Sequence, residues 1–269
     1  MKSLKVENLT FGYGTKSVLA DVNLEIFPGQ LTGIIGPNGC GKSTIIKAIS
    51  RVINIRSGRI TFDSRNITTI PRKEFAGIIS VVPQIPLLPS AYTAFEIVLM
   101  GRNPHLGFLQ NEGQHDYEIA WHAMEITATE HLAQRRINEL SGGEIQCLLI
   151  ARALTQQTIV MLLDEPTASL DIGRQGDILG LIKRLCRETG LGALAAMHDL
   201  NLAAQYCDRL ALIQDGRIKA YGTAAEVITR QNIKEVYGLE NCVFNHPENG
   251  KPTVLLNSEN GDVSAGGKP

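Results

Sequence analysis

The sequence has no apolar run close to the roughly 20 residues that would cross a bilayer. Its first residues, MKSLKVENLTFGYG, lack the apolar core of a signal peptide. It also has no excess of one charge, because 26 basic and 27 acidic side chains nearly cancel. No overall field would draw such a protein to nucleic acid or to an anionic membrane. We therefore expect a chain that is soluble by itself and has no nucleic-acid partner.

Cysteine is scarce and scattered. The five cysteines stand at positions 40, 147, 186, 207 and 242, and no spacing between them is that of a paired metal-binding motif. This pattern argues against a disulfide scaffold and a structural zinc site, and it suits the reducing cytosol. A hydrophobic content of 43%, by contrast, is ordinary for a globular protein with a real core.

Strand-like and helix-like patterns alternate along the chain. Residues 4–11 and 18–27 alternate apolar and polar side chains like two strands, with a glycine-containing turn between them. The segments 31–35, 159–163 and 193–197 are short and almost wholly apolar. Strands of that kind are buried on both faces, which predicts an α/β fold whose mostly parallel sheet is covered by helices on both sides.

A helical stretch at about 86–153 interrupts this alternation, and we expect it to form an inserted α-helical subdomain. The expected organisation is one domain over residues 1–243, followed by a C-terminal extension over residues 244–269. After Asn245 the sequence becomes polar and rich in glycine and ends in SENGDVSAGGKP. That composition is typical of a frayed terminus.

The most informative motif follows the apolar segment LTGII. Residues 36–44 match the phosphate-binding pattern G-x-x-x-x-G-K-[ST] between a strand and a helix. Glycines let successive backbone N–H groups turn toward a phosphate, Lys42 adds charge between the β- and γ-phosphates, and Ser43 offers a hydroxyl to Mg²⁺. The predicted ATP-binding residues of this loop are Gly36, Pro37, Asn38, Gly39, Cys40, Gly41, Lys42, Ser43 and Thr44.

Cys40 lies inside this loop, close to Lys42 and to a helix N-terminus, and both neighbours favour a thiolate. One hypothesis is that Cys40 is readily alkylated and is protected by bound nucleotide. The alternative is that a small residue merely fits the turn.

Two adjacent acids, Asp164 and Glu165, follow the apolar segment IVMLL and precede Pro166. The apolar run predicts a buried strand, so the acids would lie at the carboxyl edge of the sheet, where ligands bind in open α/β folds. Neighbouring side chains on an extended chain face opposite ways. We therefore expect Asp164 to face the metal and Glu165 to face the point from which a water attacks the γ-phosphate.

With the segment LSGGEIQ at 140–146 added, the set resembles the ATP-binding subunit of ABC transporters over about residues 4–243. The resemblance implies the P-loop NTPase core of that family, an N-terminal antiparallel β subdomain, and ATP and Mg²⁺ as cofactors. It also implies a head-to-tail homodimer, in which Ser141, Gly142 and Gly143 of each chain close on the γ-phosphate held by the other. Ser141 is expected to cap the helix that these glycines begin.

Further positions match the family's motifs one at a time. Tyr13 in FGYG resembles the aromatic that stacks on adenine, and Gln84 in VVPQ resembles the glutamine that senses Mg²⁺ and couples to the membrane subunit. Asp171, in ASLD, belongs to a segment similar to the one that communicates across the dimer. His198 in AAMHDLN resembles the histidine that contacts the γ-phosphate, and Asp199 is expected to cap the next helix. The predicted catalytic residues are Glu165, His198, Gln84 and Lys42, and the predicted magnesium ligands are Ser43, Gln84 and Asp164.

A narrower resemblance lies in GRNPHLGF (101–108), HDLNLAAQYCDRL and DGRIKAYGT. These segments are similar to the importer branch that serves iron–siderophore, haem and vitamin B12 permeases, most of all to its iron-chelate members. The implied partners are two integral-membrane permease subunits and, indirectly, a periplasmic or extracellular substrate-binding protein. The implied location is peripheral, on the cytoplasmic face of the cell (inner) membrane. His105 invites a metal-binding interpretation, but an isolated His in a Gly/Pro loop is more often a surface or packing residue.

Other interpretations make different demands on the sequence. Soluble ABC ATPases of DNA repair or chromosome structure carry a long coiled coil between the phosphate loop and the signature segment, which here is LSGGEIQ. No heptad run lies between Thr44 and Ser141. A translation-type ABC protein would contain two cassettes, and a non-catalytic binding module would not need both Glu165 and His198. An exporter subunit stays open, because the ATP machinery does not encode the direction of transport.

Overall fold

The computed structural model describes residues 2–107, 109–168, 170–238 and 241–256. Its strands are β1 (Leu4–Tyr13), β2 (Lys16–Ile26), β3 (Leu31–Ile35), β4 (Ser57–Phe62), β5 (Arg65–Asn66), β6 (Ile79–Val82), β7 (Val160–Asp164), β8 (Gly192–Ala196), β9 (Arg209–Gln214), β10 (Arg217–Gly222), β11 (Asn241–Asn245) and β12 (Pro252–Leu256). Phe108 of GRNPHLGF, Ser169 of ASLD and the terminal SENGDVSAGGKP lie outside the described residues.

The α-helices of the described residues lie between positions 42 and 237. They are α1 (Lys42–Ile49), α2 (Arg72–Ala76), α3 (Ala94–Leu99), α4 (Gln114–Ile126), α5 (Gly142–Thr155), α6 (Ile172–Thr189), α7 (Leu200–Tyr206), α8 (Ala224–Val227) and α9 (Arg230–Tyr237). In the part of the chain that the structure describes, none of these helices is both long and apolar enough to span a membrane.

A central sheet carries the strands that matter for the site. Its strand order is β10-β9-β3-β8-β7-β6, and the pairs from β9 to β6 are parallel, whereas β10 is antiparallel to β9. Every residue of β3, β7 and β8 is buried. Leu162 and Leu194 join the core on one side of the sheet, and Met161 and Leu163 join the core on the other. The predicted α/β fold with a mostly parallel sheet is confirmed.

The first strands form a separate antiparallel sheet, with the order β2-β1-β4-β5. Its inward side chains, such as Leu4 and Leu24, share one hydrophobic core with Ile45 of α1 and Leu162 of β7. The antiparallel N-terminal unit is therefore packed against the phosphate-loop helix and the central sheet, and the prediction of an N-terminal antiparallel β subdomain is confirmed.

The inserted helical subdomain is also confirmed. Helices α3, α4 and α5 share a core of their own, represented by Val98, Met124 and Leu148. A 3-10 segment follows α3, and its buried Arg102 donates through Nε to Asp116 Oδ1 (2.9 Å) and through Nη1 to Thr155 O (2.8 Å). Arg102 thereby joins the first turn of α4 to the end of α5. The bounds of about 86–153 stay a prediction.

The C-terminal segment differs from the expected frayed tail. Strands β11 and β12 pair as an antiparallel hairpin, and Val254 is only 8% exposed within the main hydrophobic core. The expectation is wrong for 252–256, because Val254 packs into the main core and the side chain of Asn201 in α7 binds its backbone. The domain boundary predicted after residue 243 stays a prediction, although β11 continues to Asn245.

Candidate functional site

The segment after β3 forms the predicted phosphate loop. β3 ends at Ile35 and α1 begins at Lys42, so the loop joins a buried strand to a helix N-terminus. Lys42 is 5% exposed, and its Nζ donates to Gly36 O (2.7 Å) and Pro37 O (3.1 Å). These bonds hold the ammonium group against the loop backbone, beside a helix N-terminus that attracts anions.

Two loop glycines have positive φ angles, and neighbouring strands leave no room for a side chain at either position. Gly36 has a φ of 152° and Gly41 a φ of 111°. A Cβ on Gly36 would lie 2.4 Å from Ile213 O in β9. A Cβ on Gly41 would lie 2.6 Å from Leu19 Cδ2 in β2. Strands on two sides therefore fix the shape of the loop.

Cys40 faces inward rather than toward the mouth of the loop. It is 8% exposed, and an added Cβ on Gly36 would lie 2.8 Å from its Sγ. Burial raises the pKa of the Cys40 thiol, and the charge of Lys42 only partly opposes this effect. Burial therefore opposes the thiolate that the sequence neighbours favour, and the alternative, a small residue that fits the turn, agrees with the structure. Alkylation that bound nucleotide blocks stays a hypothesis.

Ser43 and Asp164 connect the loop helix to the end of β7. Ser43 Oγ donates to Asp164 Oδ1 at 2.8 Å, across 121 positions of sequence. Asp164 is 8% exposed, and burial raises the pKa of its carboxyl group. The hydrogen bond from Ser43 lowers this pKa, whereas the neighbouring charge of Glu165 raises it further. The structure thus brings two predicted magnesium ligands into direct contact.

The backbone conformation of Glu165 differs from the extended one that the sequence predicted. β7 ends at Asp164, and Glu165 has a φ of 53°, in the left-handed region that side chains other than glycine seldom occupy. The two carboxylates have different hydrogen-bond partners. Alternation along an extended chain was expected to separate them, but a left-handed turn at Glu165 does so instead. Such strain often accompanies functional sites. That Asp164 faces the metal and Glu165 the attacking water stays a prediction.

Gln84, Glu165 and His198 meet at the same edge of the central sheet. They follow the ends of β6, β7 and β8, which are neighbouring parallel strands. Gln84 Nε2 donates to Glu165 Oε2, and His198 Nε2 contacts Glu165 Oε1. The Glu165 side chain is 11% exposed and that of His198 43%. Both oxygens of the glutamate are thus oriented by neighbouring side chains.

These groups border one cavity of about 360 Å³. It is lined by Asn38, Gly39, Gly41, Lys42, Ser43, Thr44, Gln84, Glu165 and His198. The phosphate loop and the strand ends, which are far apart in sequence, therefore share one cavity. Asp164 reaches it indirectly, through its hydrogen bond to Ser43.

Ser141, Gly142 and Gly143, the signature residues, do not line that cavity. Ser141 caps α5 as expected, since its Oγ accepts from Glu144 N (3.3 Å) and Glu144 in turn accepts from Ser141 N (2.7 Å). Ser141 and Gly142 are exposed. An added Cβ on Gly143 would lie 2.8 Å from Arg174 Nη1.

Asp171 lies beside this signature segment. It caps α6 by accepting from Arg174 N at 2.9 Å, and Arg174 also approaches Gly143. Arg174 therefore links two predicted dimer segments, and sequence reasoning missed it. Its position three residues after the helix-capping Asp171 could have indicated a contact between the two residues.

Tyr13 and His105 also lie outside the cavity lining. Tyr13 ends β1, is 60% exposed, and packs edge-to-face on Phe11 with ring centroids 4.9 Å apart. His105 Nε2 lies 2.9 Å from Gln156 O, which agrees with the packing interpretation. The described residues contain no cluster of three or more His, Cys, Asp or Glu side chains that could hold a metal ion.

Comparison with known proteins identifies the family. Residues 19–168 match the family model described as ABC transporter. The chain is 39% identical to the ferric enterobactin transport ATP-binding protein FepC of Escherichia coli (strain K12), over 94% of this chain and 93% of that protein. It is also 39% identical to the hemin import ATP-binding protein HmuV of Gloeobacter violaceus, again over 94% of this chain and 93% of that protein. An inward-facing structure described as a metal-chelate type ABC transporter has a TM-score of 0.84 and 28% identity, over 96% of this chain and 99% of that chain. The chain belongs to the ABC transporter family and is one of its ATP-hydrolysing subunits.

Proposed function

We propose that this subunit powers the uptake of an iron chelate, such as a ferric siderophore, and that ATP binds with Mg²⁺ in the cavity between the phosphate loop and the strand ends. The observation that carries the proposal is the convergence of Gln84, Glu165 and His198 on the cavity that Lys42 and Ser43 also line. A lysine, oriented donors and an oriented carboxylate in one cavity are the parts that phosphoryl transfer to water requires.

The phosphate loop holds the triphosphate in this proposal. Lys42 and the N-terminus of α1 supply positive charge, and the backbone N–H groups of residues 39–43 supply donors. The exposed ring of Tyr13 offers a stacking face for adenine. Ring stacking adds affinity without needing a deep pocket for the base.

The donor set suits magnesium. Ser43 hydroxyl, Asp164 carboxylate and Gln84 amide are hard oxygen donors, and the first two are already in contact at 2.8 Å. Magnesium is usually held by one or two carboxylates together with substrate phosphates, and Asp164 supplies one carboxylate here. Ser43, Asp164 and Gln84 would hold the ion, which when bound neutralises phosphate charge.

Glu165 is the proposed general base. In the hydrolytic step the water oxygen bonds to the γ-phosphorus, the bond from that phosphorus to the bridging oxygen breaks, and a water proton passes to the Glu165 carboxylate. Gln84 and His198 hold that carboxylate in one orientation. Lys42 and His198 stabilise the developing negative charge, so positioning and electrostatics supply most of the catalysis.

The proposed active form is a head-to-tail homodimer. Ser141 and Gly142 form an exposed helix start, and none of the three signature residues lines the cavity of their own chain. A helix N-terminus attracts anions. A second copy would bring this helix start to the γ-phosphate, with Asp171 and Arg174 close to the same contact.

The proposed membrane partners are two permease subunits that dock near Gln84, on the cytoplasmic face of the cell membrane. The residues after Gln84 support this location, because Ile85 is 78% exposed and Leu87 is 98% exposed. Apolar side chains exposed next to an active site mark a surface that a partner covers. An external substrate-binding protein would deliver the chelate to the permease.

The iron-chelate assignment rests on relatedness rather than on the cavity. FepC and HmuV, the relatives named above, carry ferric enterobactin and hemin in their names. The alternatives are therefore a haem, vitamin B12 or other metal-complex importer, and less favoured ones are an exporter or a soluble ABC ATPase. Uptake of labelled ferric siderophore, haem and cobalamin by cells with and without the gene distinguishes the importers. Loss of siderophore uptake alone is the expected result.

The proposed base is tested with Glu165→Gln. This variant keeps the size and polarity of the side chain but cannot accept the water proton, so we expect ATP binding within about twofold of the native protein and turnover lowered by at least about 100-fold. ATP should also trap a dimer, visible by size-exclusion chromatography. The exposed Glu188→Gln is the control. Normal turnover in Glu165→Gln would refute the base assignment.

A further inference from the structure

The C-terminal hairpin of β11 and β12 lies against the helix that follows His198. Helix α7 begins at Leu200, two residues after His198, and it packs against β12. We propose that the hairpin positions His198 for ATP hydrolysis and that Asn201 is the positioning residue that connects them. This inference rests on the role proposed above for His198.

The side-chain amide of Asn201 binds the hairpin through two hydrogen bonds. Asn201 Oδ1 accepts from Val254 N at 2.8 Å, and Asn201 Nδ2 donates to Val254 O at 3.2 Å. One amide thus satisfies both backbone groups of one residue of β12, as a neighbouring strand would. An asparagine is suited to this contact because its side chain carries a donor and an acceptor together.

The backbone of Asn201 binds the turn that carries His198. Asp199 Oδ1 accepts from Asn201 N (2.7 Å) and from Leu202 N (2.9 Å). Asn201 is therefore bonded to the helix cap through its backbone and to the hairpin through its side chain. On the other side of His198, Met197 N donates to Ile34 O in the central sheet at 2.9 Å. His198 lies between these two attachments, and only the second belongs to the sheet.

The hairpin is itself fixed to the body of the protein. Val254 is 8% exposed in the main core, and Val243 packs against that core from β11. At the far end of α7, Asn249 Nδ2 donates to Gln205 Oε1 at 2.6 Å, and Lys251 Nζ donates to Gln205 O. The cation of Lys251 lies at the helix C-terminus, where positive charge is favourable. Both ends of α7 are thus held by one hairpin.

His198 needs this support because its own surroundings are open. Its side chain is 43% exposed, and Glu165 is the partner of its ring among the described residues. Catalytic side chains act efficiently when neighbouring groups hold them within a fraction of an ångström. Loosening the first turn of α7 would therefore slow hydrolysis while leaving the phosphate loop, and so ATP binding, intact.

The test compares Asn201→Ala with Gln205→Ala in the full-length chain. Asn201→Ala removes both bonds to Val254, whereas Gln205→Ala removes one hairpin bond at the opposite end of the same helix. We expect Asn201→Ala to lower kcat for ATP hydrolysis about tenfold with KM for ATP within about twofold of the native value. Gln205→Ala should keep native kcat and KM. An equal loss of kcat in both variants would overturn the inference, because it would show general loosening of α7.

Two further variants separate the inference from the proposed function. His198→Ala must lower turnover; native turnover in this variant overturns the role of His198 and the inference with it. Low turnover in His198→Ala with native kcat in Asn201→Ala overturns the inference alone. Asn201→Asp keeps the acceptor for Val254 N and loses the donor, so we expect kcat between those of the native protein and the alanine variant. If Asn201→Ala fails to fold, native kcat in Asn201→Asp counts against the inference.

Discussion

At the scale of single residues, Asp164 shows a conflict between stability and function. Its carboxyl group is 8% exposed, lies next to Glu165 in sequence, and has a raised pKa because burial disfavours the charged form. Among the residues that the structure describes, Ser43 is the hydrogen-bond donor to its side chain. A carboxylate in that position destabilises the folded protein by itself, but it is the form that a magnesium ion requires.

We predict that Asp164→Asn stabilises the protein when nucleotide and Mg²⁺ are absent. The amide keeps the acceptor for Ser43 and removes the buried charge, so Tm should rise by roughly 2 °C at neutral pH. Magnesium-dependent ATP hydrolysis should be lost, as a malachite-green phosphate assay can measure. The exposed Asp63→Asn is the control and should change neither quantity.

The stabilisation by Asp164→Asn should depend on pH in a defined direction. Because the folded-state pKa of Asp164 lies above its unfolded value of 3.8, the folded protein binds this proton more tightly. The contribution of Asp164 to stability is then fully present below the unfolded pKa and is lost as pH rises through the folded pKa. The Tm difference between the variant and the native protein should accordingly shrink in acid, and a difference that grows in acid would contradict this account.

Sequence alone predicted the residues of the site better than their conformations. Lys42, Ser43 and Asp164 stand in motifs whose local context, strand then loop or strand then turn, determines where they lie. The left-handed backbone of Glu165 could not be predicted, because tertiary contacts impose it against the intrinsic preference of the residue. Arg174 and Asn201 were missed because their partners, Gly143 and Val254, are distant in sequence.

At the scale of elements, the phosphate loop depends on the strands behind it. Gly36 follows β3 with a φ of 152°, and an added Cβ would meet the backbone of β9 at Ile213 O. Backbone atoms of a central strand cannot move aside without breaking the sheet. Gly39, in the same loop, has a φ of 76° but no atom within 4 Å of an added Cβ.

We predict that Gly36→Ala and Gly39→Ala have different effects. Gly36→Ala should displace the loop, lower Tm, and weaken ATP binding by at least about tenfold, because the new methyl group clashes with β9. Gly39→Ala should lower the stability of the nucleotide-free protein only by the left-handed backbone strain, about 1–2 kcal/mol. Fluorescent-nucleotide titration and thermal unfolding measure both effects, and equal ATP affinities in the two variants would contradict this explanation.

The elements themselves were predictable where the apolar pattern was strong. The segment LTGII was predicted as a strand and forms β3, and the predicted strand at 159–163 corresponds to β7. The hairpin of β11 and β12 was missed because TVLL is short and is flanked by polar turns. Such a strand is held by packing on α7 and by the bonds to Asn201, which no local pattern contains.

At the scale of the whole molecule, the order of strands in the central sheet produces the site. β6, β7 and β8 are consecutive neighbours, although α3, α4 and α5 separate β6 from β7 in sequence. Their parallel ends bring Gln84, Glu165 and His198 together, and β3 beside β8 adds the phosphate loop. The motifs predicted these residues individually, but the strand order that unites them came from the structure.

The central claim is that the loop at residues 36–44 and the acids at the end of β7 surround one nucleotide. A structure of the Glu165→Gln variant with ATP and Mg²⁺, determined by crystallography or cryo-electron microscopy, tests this claim most directly. We predict the triphosphate inside the loop with Lys42 Nζ on its oxygens, and the metal ion at Ser43 and Asp164. A triphosphate bound elsewhere, or side chains at positions 164 and 165 that point away from it, would contradict the account.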